Sequence, residues 1–124
     1  MVLVRQYRPA VGLVELGLPA GLIDEGEDPL DAAKRELREE TGYVGSEWEP
    51  LGSLASSPSL KDNWAYLYLA RGVELRAETE LDEYERVEVE TVPLGEIRPK
   101  IAAGEIVSSS GVAAALLALD KLRT

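Results

Sequence analysis

The chain contains no cysteine and no histidine among its 124 residues. Without cysteine there is neither a disulfide framework nor a thiolate zinc site. Without histidine the usual general base, the commonest metal ligand and the Ser–His nucleophile pair are all missing. Positive charge is scarce, with 13 Lys and Arg against 23 Asp and Glu and a net charge of −10. Such a surface repels nucleic-acid phosphate, so no nucleic-acid partner is expected. An anionic substrate would need a cation or a local pair of arginines to reach it. Long apolar runs are missing too. The longest, GVAAALLAL near the C-terminus, is too short to cross a bilayer, and no signal-peptide pattern precedes it. No membrane partner and a cytoplasmic location are expected. Acid–base or metal chemistry is left mainly to carboxylates.

What is there reads as one domain over residues 1–124, with no internal repeat and no low-complexity linker. Hydrophobic and alternating runs predict strands at Val2–Tyr7, Leu13–Leu16, Ser46–Ala55, Trp64–Ala70 and Arg86–Val92. Asp28 and Pro29 form a helix start as N-cap and N1, with Asp31 in the place of a capping box and Gly42 as the residue after the helix end. The predicted helix runs over about 29–41. A short helix ends near Gly104, and a serine-capped helix covers about 110–122. The order, strands then helix, strands then helices, predicts an α/β (α+β) sandwich around one acidic helix.

That helix carries RELREETG, Arg35–Gly42. Like charges at such spacings cost roughly 0.2–0.5 kcal/mol per pair even at an exposed site. At about 100° per residue, Leu30, Ala33 and Leu37 form a core stripe, with Glu36 and Glu40 on its shoulder and Glu39 on the far side of Glu36. Lys34 and Arg38 point to solvent. Carboxylates beside an apolar stripe are partly desolvated and repel one another, and a cation relieves both costs. An all-oxygen ligand set suits Mg²⁺ or Mn²⁺, and magnesium characteristically bridges to substrate phosphates. Phosphoryl chemistry with water as nucleophile follows.

The stretch Gly21–Tyr43, GLIDEGEDPLDAAKRELREETGY, resembles the Nudix box, G-x5-E-x7-R-E-U-x-E-E-x-G-U with U apolar. Gly21, Glu27, Arg35, Glu36, Leu37, Glu39, Glu40 and Gly42 match, and Tyr43 stands where an aliphatic residue is usual. The resemblance implies an α/β/α sandwich with a mixed sheet that hydrolyses nucleoside diphosphates linked to another moiety. It implies that Glu36 and Glu40 are the main Mg²⁺ ligands, that Glu39 is a further ligand or a bridging carboxylate, and that Arg35 and Glu27 orient the cluster. VLVRQYRPAVG, LPAG and AAGEIVSSSGVAAALLAL further resemble the ADP-ribose pyrophosphatase branch. By that likeness the carbonyl of Ala20 also binds metal, Pro58 lies in a substrate loop, and a glutamate of ELDEYERV serves as base, with Glu83 and Glu85 as alternatives. Arg5 and Arg8 would bind a diphosphate in fork geometry, against the plain alternative of surface ion pairs. For Trp64, Tyr66 and Tyr68, alternation along a strand favours core or sheet-face packing over stacking on a base.

Two features depart from the branch. The sheet region that usually precedes VLVRQYRP is not in this sequence, and Gly17 stands before LPAG where a glutamate is usual, with Glu15 close by. An uncovered sheet edge promotes association, so a homodimer is expected. The activity implied is Mg²⁺-dependent cleavage of a nucleoside diphosphate sugar, ADP-ribose first, to a nucleoside monophosphate and a sugar phosphate. GDP-mannose or another nucleotide sugar, and a non-catalytic nucleotide sensor of the same fold, are the alternatives.

Overall fold

The computed structural model describes residues 1–60, 62–79 and 87–123. Among the described residues seven strands and three α-helices follow one another: β1 (Val2–Arg8), β2 (Leu13–Gly17), α1 (Pro29–Thr41), β3 (Tyr43–Val44), β4 (Glu47–Ser56), β5 (Asn63–Arg71), β6 (Glu74–Leu75), β7 (Val87–Thr91), α2 (Ile97–Ala102) and α3 (Ser109–Lys121). This is the expected α+β composition. Among the described residues the strands form three antiparallel sheets, β2-β1-β7, β3-β6 and β4-β5, where the family resemblance implied a mixed sheet. The short connections β1–β2 and β4–β5 favour antiparallel pairing, whereas β1–β7 and β3–β6 join strands distant in the chain. β3 and β6 were not foreseen, because two residues are too few to show a hydrophobic period.

Strand alternation sorts the β2-β1-β7 sheet into two faces. Leu3 and Leu16 point to one face and join Val92, Ile97, Ile106, Ala115 and Leu119 in the main core, with α2 and α3 packed there. Burying a leucine or isoleucine fully contributes about 1.5–3 kcal/mol, so this cluster holds the helices to the sheet. The other face carries Val4, Gln6 and Arg8 of β1 opposite Gly17, Glu15 and Leu13 of β2. α3 also packs on β4 and β5, and α1 on β3 and β5. Ser108 caps α3 through its hydroxyl, which accepts from Gly111 N–H at 3.3 Å.

Of the two expectations for the β5 aromatics, core and sheet-face packing, exposure excludes the core for Trp64 and Tyr66. Tyr68 is half-buried, but Trp64 and Tyr66 are 57% and 47% exposed. They lie on one sheet face, as strand alternation requires.

Candidate active site

The acidic helix begins and ends as its residues dictate. The Asp28 carboxylate accepts from Leu30 N–H at 3.0 Å, and Pro29 occupies the first turn, where its missing N–H costs nothing. At the other end Gly42 takes the left-handed conformation, φ 78°, and its N–H returns to Arg38 O at 2.8 Å. Gly42 also lets the chain 76–77 approach: Arg76 and Ala77 N–H both donate to Gly42 O, at 3.0 and 3.1 Å. A Cβ at position 42 would collide with the Ala77 carbonyl. The helix is thus pinned at its end to the chain that follows β6.

The buried positions of α1 are Ala32, Leu37, Glu40 and Thr41. The core stripe is therefore shifted from the expected Leu30, Ala33 and Leu37, of which Leu30 and Ala33 are only half-buried. The cause is the chain before the helix. Residues 20–21 pass over the glutamate flank of α1, so Glu40 lies inside the buried arc rather than on its shoulder. The residue is 7% exposed, and its carboxylate accepts from Ala20 N–H at 3.1 Å. A buried carboxylate needs such partners to offset desolvation. Gly21 packs against Glu36 so closely that an added Cβ would overlap the carboxylate. A larger residue at 21 would displace the Glu36 carboxylate from this position, so the glycine serves space and not backbone conformation.

Arg35 is the hub. Its Nε and Nη2 donate to Glu27 Oε2 and Oε1 at 2.9 and 3.0 Å, a two-bond fork. Nη1 donates to Glu36 Oε1 at 2.9 Å and to Glu39 Oε2 at 3.1 Å. Nη2 also reaches Leu22 O at 3.0 Å and lies 3.6 Å from Asp24 Oδ2. Glu27 is further fixed by Asp24 N–H, 3.0 Å from its Oε1. The Arg35 bonds, then the Asp24 N–H, hold the Glu27 carboxyl below its ordinary range, and Glu27 foremost raises the Arg35 guanidinium in turn. Burial first, then the negative charge of Asp28, pushes the Tyr68 phenol up.

One arginine and one backbone stretch thus gather Glu27, Glu36, Glu39 and Glu40 at the foot of the loop 20–27. Among the described residues, no three acidic side chains stand close enough to hold a metal ion in this arrangement. The donors nonetheless fit a hard divalent cation in kind. They are carboxylates on one turn of one helix, with backbone beside them and a glycine clearing the space for Glu36.

The remaining expected site residues fall elsewhere. Arg8 Nε donates to Glu15 Oε2 at 2.8 Å. Arg5 lies on the opposite face of β1, its Nε donating to Glu90 Oε2 at 3.0 Å and its Nη2 4.0 Å from Glu105. Pro58 is exposed in the turn after β4, where Leu60 N–H returns to Ser57 O at 2.9 Å. Glu83 and Glu85 lie outside the described residues. Sequence reasoning did not foresee the Leu22 carbonyl, for which a side-chain pattern carries no signal. It noted Glu15 only as a neighbour of Gly17, although a period of two puts both on one face.

A family model described as "NUDIX domain" matches residues 1–109. The "Methanol dehydrogenase activator" of Bacillus methanolicus is 38% identical over 115 residues, which is 92% of this chain and 62% of that protein. An "ADP-ribose pyrophosphatase" of Mycobacterium tuberculosis is 37% identical over 116 residues, covering 92% of this chain and 56% of the relative. The solved structure described as "Crystal structure of ADP compounds hydrolase" superposes with a TM-score of 0.87 at 28% identity, over 98% of this chain and 65% of that one. The chain thus spans about three fifths of the length of these relatives.

Proposed function

The chain belongs to the Nudix hydrolase family, and from that premise we propose that it cleaves the diphosphate bond of a nucleoside diphosphate sugar, ADP-ribose first, with Mg²⁺ as the cation. The observation that carries the reading is the Arg35 hub, which organises the box glutamates through Glu27, Glu36 and Glu39. The relative named ADP-ribose pyrophosphatase and the structural neighbour named ADP compounds hydrolase support the substrate class.

Glu36, Glu39 and Glu40, with the backbone of Ala20, would hold the cation. When bound, a divalent cation neutralises the diphosphate and makes a coordinated water more acidic. The chain's own groups do the rest. Arg35 and Glu27 keep the carboxylates on the substrate side of α1, and the Ala20 N–H fixes Glu40. Arg8 takes the diphosphate, with Arg5 as a further candidate, and Pro58 shapes the substrate loop. A carboxylate oxygen of Glu83 or Glu85 accepts the proton of the attacking water. The new bond joins water oxygen to one phosphorus. The bond from that phosphorus to the bridging oxygen breaks, and the bridging oxygen leaves on the other phosphate. ADP-ribose and water give AMP and ribose 5-phosphate.

Among the described residues no helix is long and apolar enough to cross a membrane. The working protein is proposed as a cytoplasmic homodimer without nucleic-acid or membrane partners, and sedimentation velocity checks the assembly. The function is tested by incubating the protein with ADP-ribose, GDP-mannose and other nucleotide sugars, with Mg²⁺, Mn²⁺ or chelator, and resolving the products. Cation-dependent release of AMP from ADP-ribose supports the reading. Preferential cleavage of GDP-mannose moves the substrate. Binding without products from any of the panel makes the chain a nucleotide sensor.

A further inference from the structure

We propose that Glu15 is a positioning residue that orients the Arg8 guanidinium toward the substrate diphosphate, an inference resting on the reading that Arg8 binds that group. Arg8 and Glu15 lie on the same face of the β1–β2 pair, as diagonal neighbours beside the partners Arg8↔Leu13 and Gln6↔Glu15. Arg8 Nε donates to Glu15 Oε2 at 2.8 Å. The two ends of this ion pair sit in different surroundings, with the Glu15 side chain 9% exposed and that of Arg8 51%. An ordinary surface pair is wet at both ends and holds neither. Here the acid is set into the sheet face and the base stands outward from it, so the carboxylate is the anchor and the guanidinium the part that is aimed.

The atom used also matters. Glu15 takes the Nε hydrogen, and the end-on edge of the guanidinium, formed by the Nη groups, is the edge that meets a phosphate in a fork. Fixing Nε fixes the plane of that edge. Glu15 also lies against Gly17, where a Cβ would stand 3.4 Å from Glu15 Oε1, an ordinary van der Waals contact. Gly17 ends β2, and the chain runs on from it to Ala20 and Gly21, which contact Glu40 and Glu36. The Arg8–Glu15 pair is therefore joined by a few residues of backbone to the carboxylate cluster. Arg5 has no comparable anchor. It faces the other way, and its partner Glu90 is 37% exposed.

The test compares wild type, Glu15→Gln, Arg8→Gln and the double variant in steady-state hydrolysis of ADP-ribose with Mg²⁺, with thermal unfolding followed in parallel. Glu15→Gln keeps the shape and removes the charge. The expected result is a KM about tenfold higher with kcat within about twofold, and no further rise in KM when Arg8→Gln already carries the change. A merely structural role would lower the melting temperature and leave KM alone, and that result overturns the inference. So does an effect that simply adds to that of Arg8→Gln. If Glu15→Gln does not fold, Glu15→Asp retains the charge and withdraws it by one methylene, and an unchanged KM there also overturns it. Absence of ADP-ribose turnover in wild type, or an Arg8→Gln enzyme with unaltered KM, defeats the underlying reading of Arg8. A normal Arg8 effect with a silent Glu15 defeats this inference alone.

Discussion

Arg35 grips Glu27 by both carboxylate oxygens, Nε to Oε2 at 2.9 Å and Nη2 to Oε1 at 3.0 Å. The fork ties the loop before α1 to the middle of the helix. It also leaves Nη1 to hold Glu36 and Glu39.

This pairing makes stability depend on pH in a defined direction. The Glu27 carboxyl is held below its ordinary 4.5, first by Arg35 and then by Asp24 N–H. A depressed carboxyl contributes stability that is fully present above the unfolded value and is lost as pH falls through the folded one. Urea unfolding of wild type and Glu27→Gln is expected to show a stability gap at pH 7. The gap should close as the pH drops below about 4.5. A gap that stays constant into strong acid would show that the Arg35–Glu27 charge pair is not its source.

Glu40→Gln separates catalysis from folding. The amide oxygen can still accept from Ala20 N–H, so the buried position keeps a partner while losing its charge. Turnover of ADP-ribose is expected to fall by at least about a hundredfold, with a melting temperature equal to or above that of wild type in chelator. Mg²⁺ is expected to raise the melting temperature of wild type and not of the variant. Retained activity would move the cation site away from this glutamate.

Gly21→Ala places a methyl group where the Glu36 carboxylate packs. Position 21 is exposed and its backbone is not in the left-handed region, so the fold has little to lose. The expected outcome is a roughly tenfold or greater fall in kcat with little change in unfolding midpoint. Equal activity would mean that Glu36 can work from another position.

Gly42→Ala acts on the fold instead. The left-handed φ of 78° disfavours alanine, and the new Cβ would press on the Ala77 carbonyl. A loss of about 1–3 kcal/mol in urea-derived stability is expected. A smaller loss would mean that the chain at 76–77 gives way without cost.

The helix of the box was legible almost to the residue, because Asp28, Pro29 and Gly42 are local signals whose physics involves only their near neighbours. β1, β2, β4 and β5 were legible for a similar reason, as runs with apolar or alternating character. The short β3 and β6 were not, since they exist only because their partners are held nearby. Arg5 and Arg8 both read in the sequence as diphosphate ligands or surface ion pairs, with Arg8 the closer match to the branch, and strand alternation sends them to opposite faces with different acids.

The sequence by itself determined the chemistry on offer. With no histidine and no cysteine, reactive groups had to be oxygen donors and arginines, and the spacing of Glu27, Arg35, Glu36, Glu39 and Glu40 defined the box. Only the tertiary structure decided which glutamate is buried, what Arg35 holds, and that Glu15 holds Arg8. The physical reason is that side-chain identity and helical spacing are local properties. Burial and pairing depend on where distant backbone passes, as residues 20–21 pass over α1.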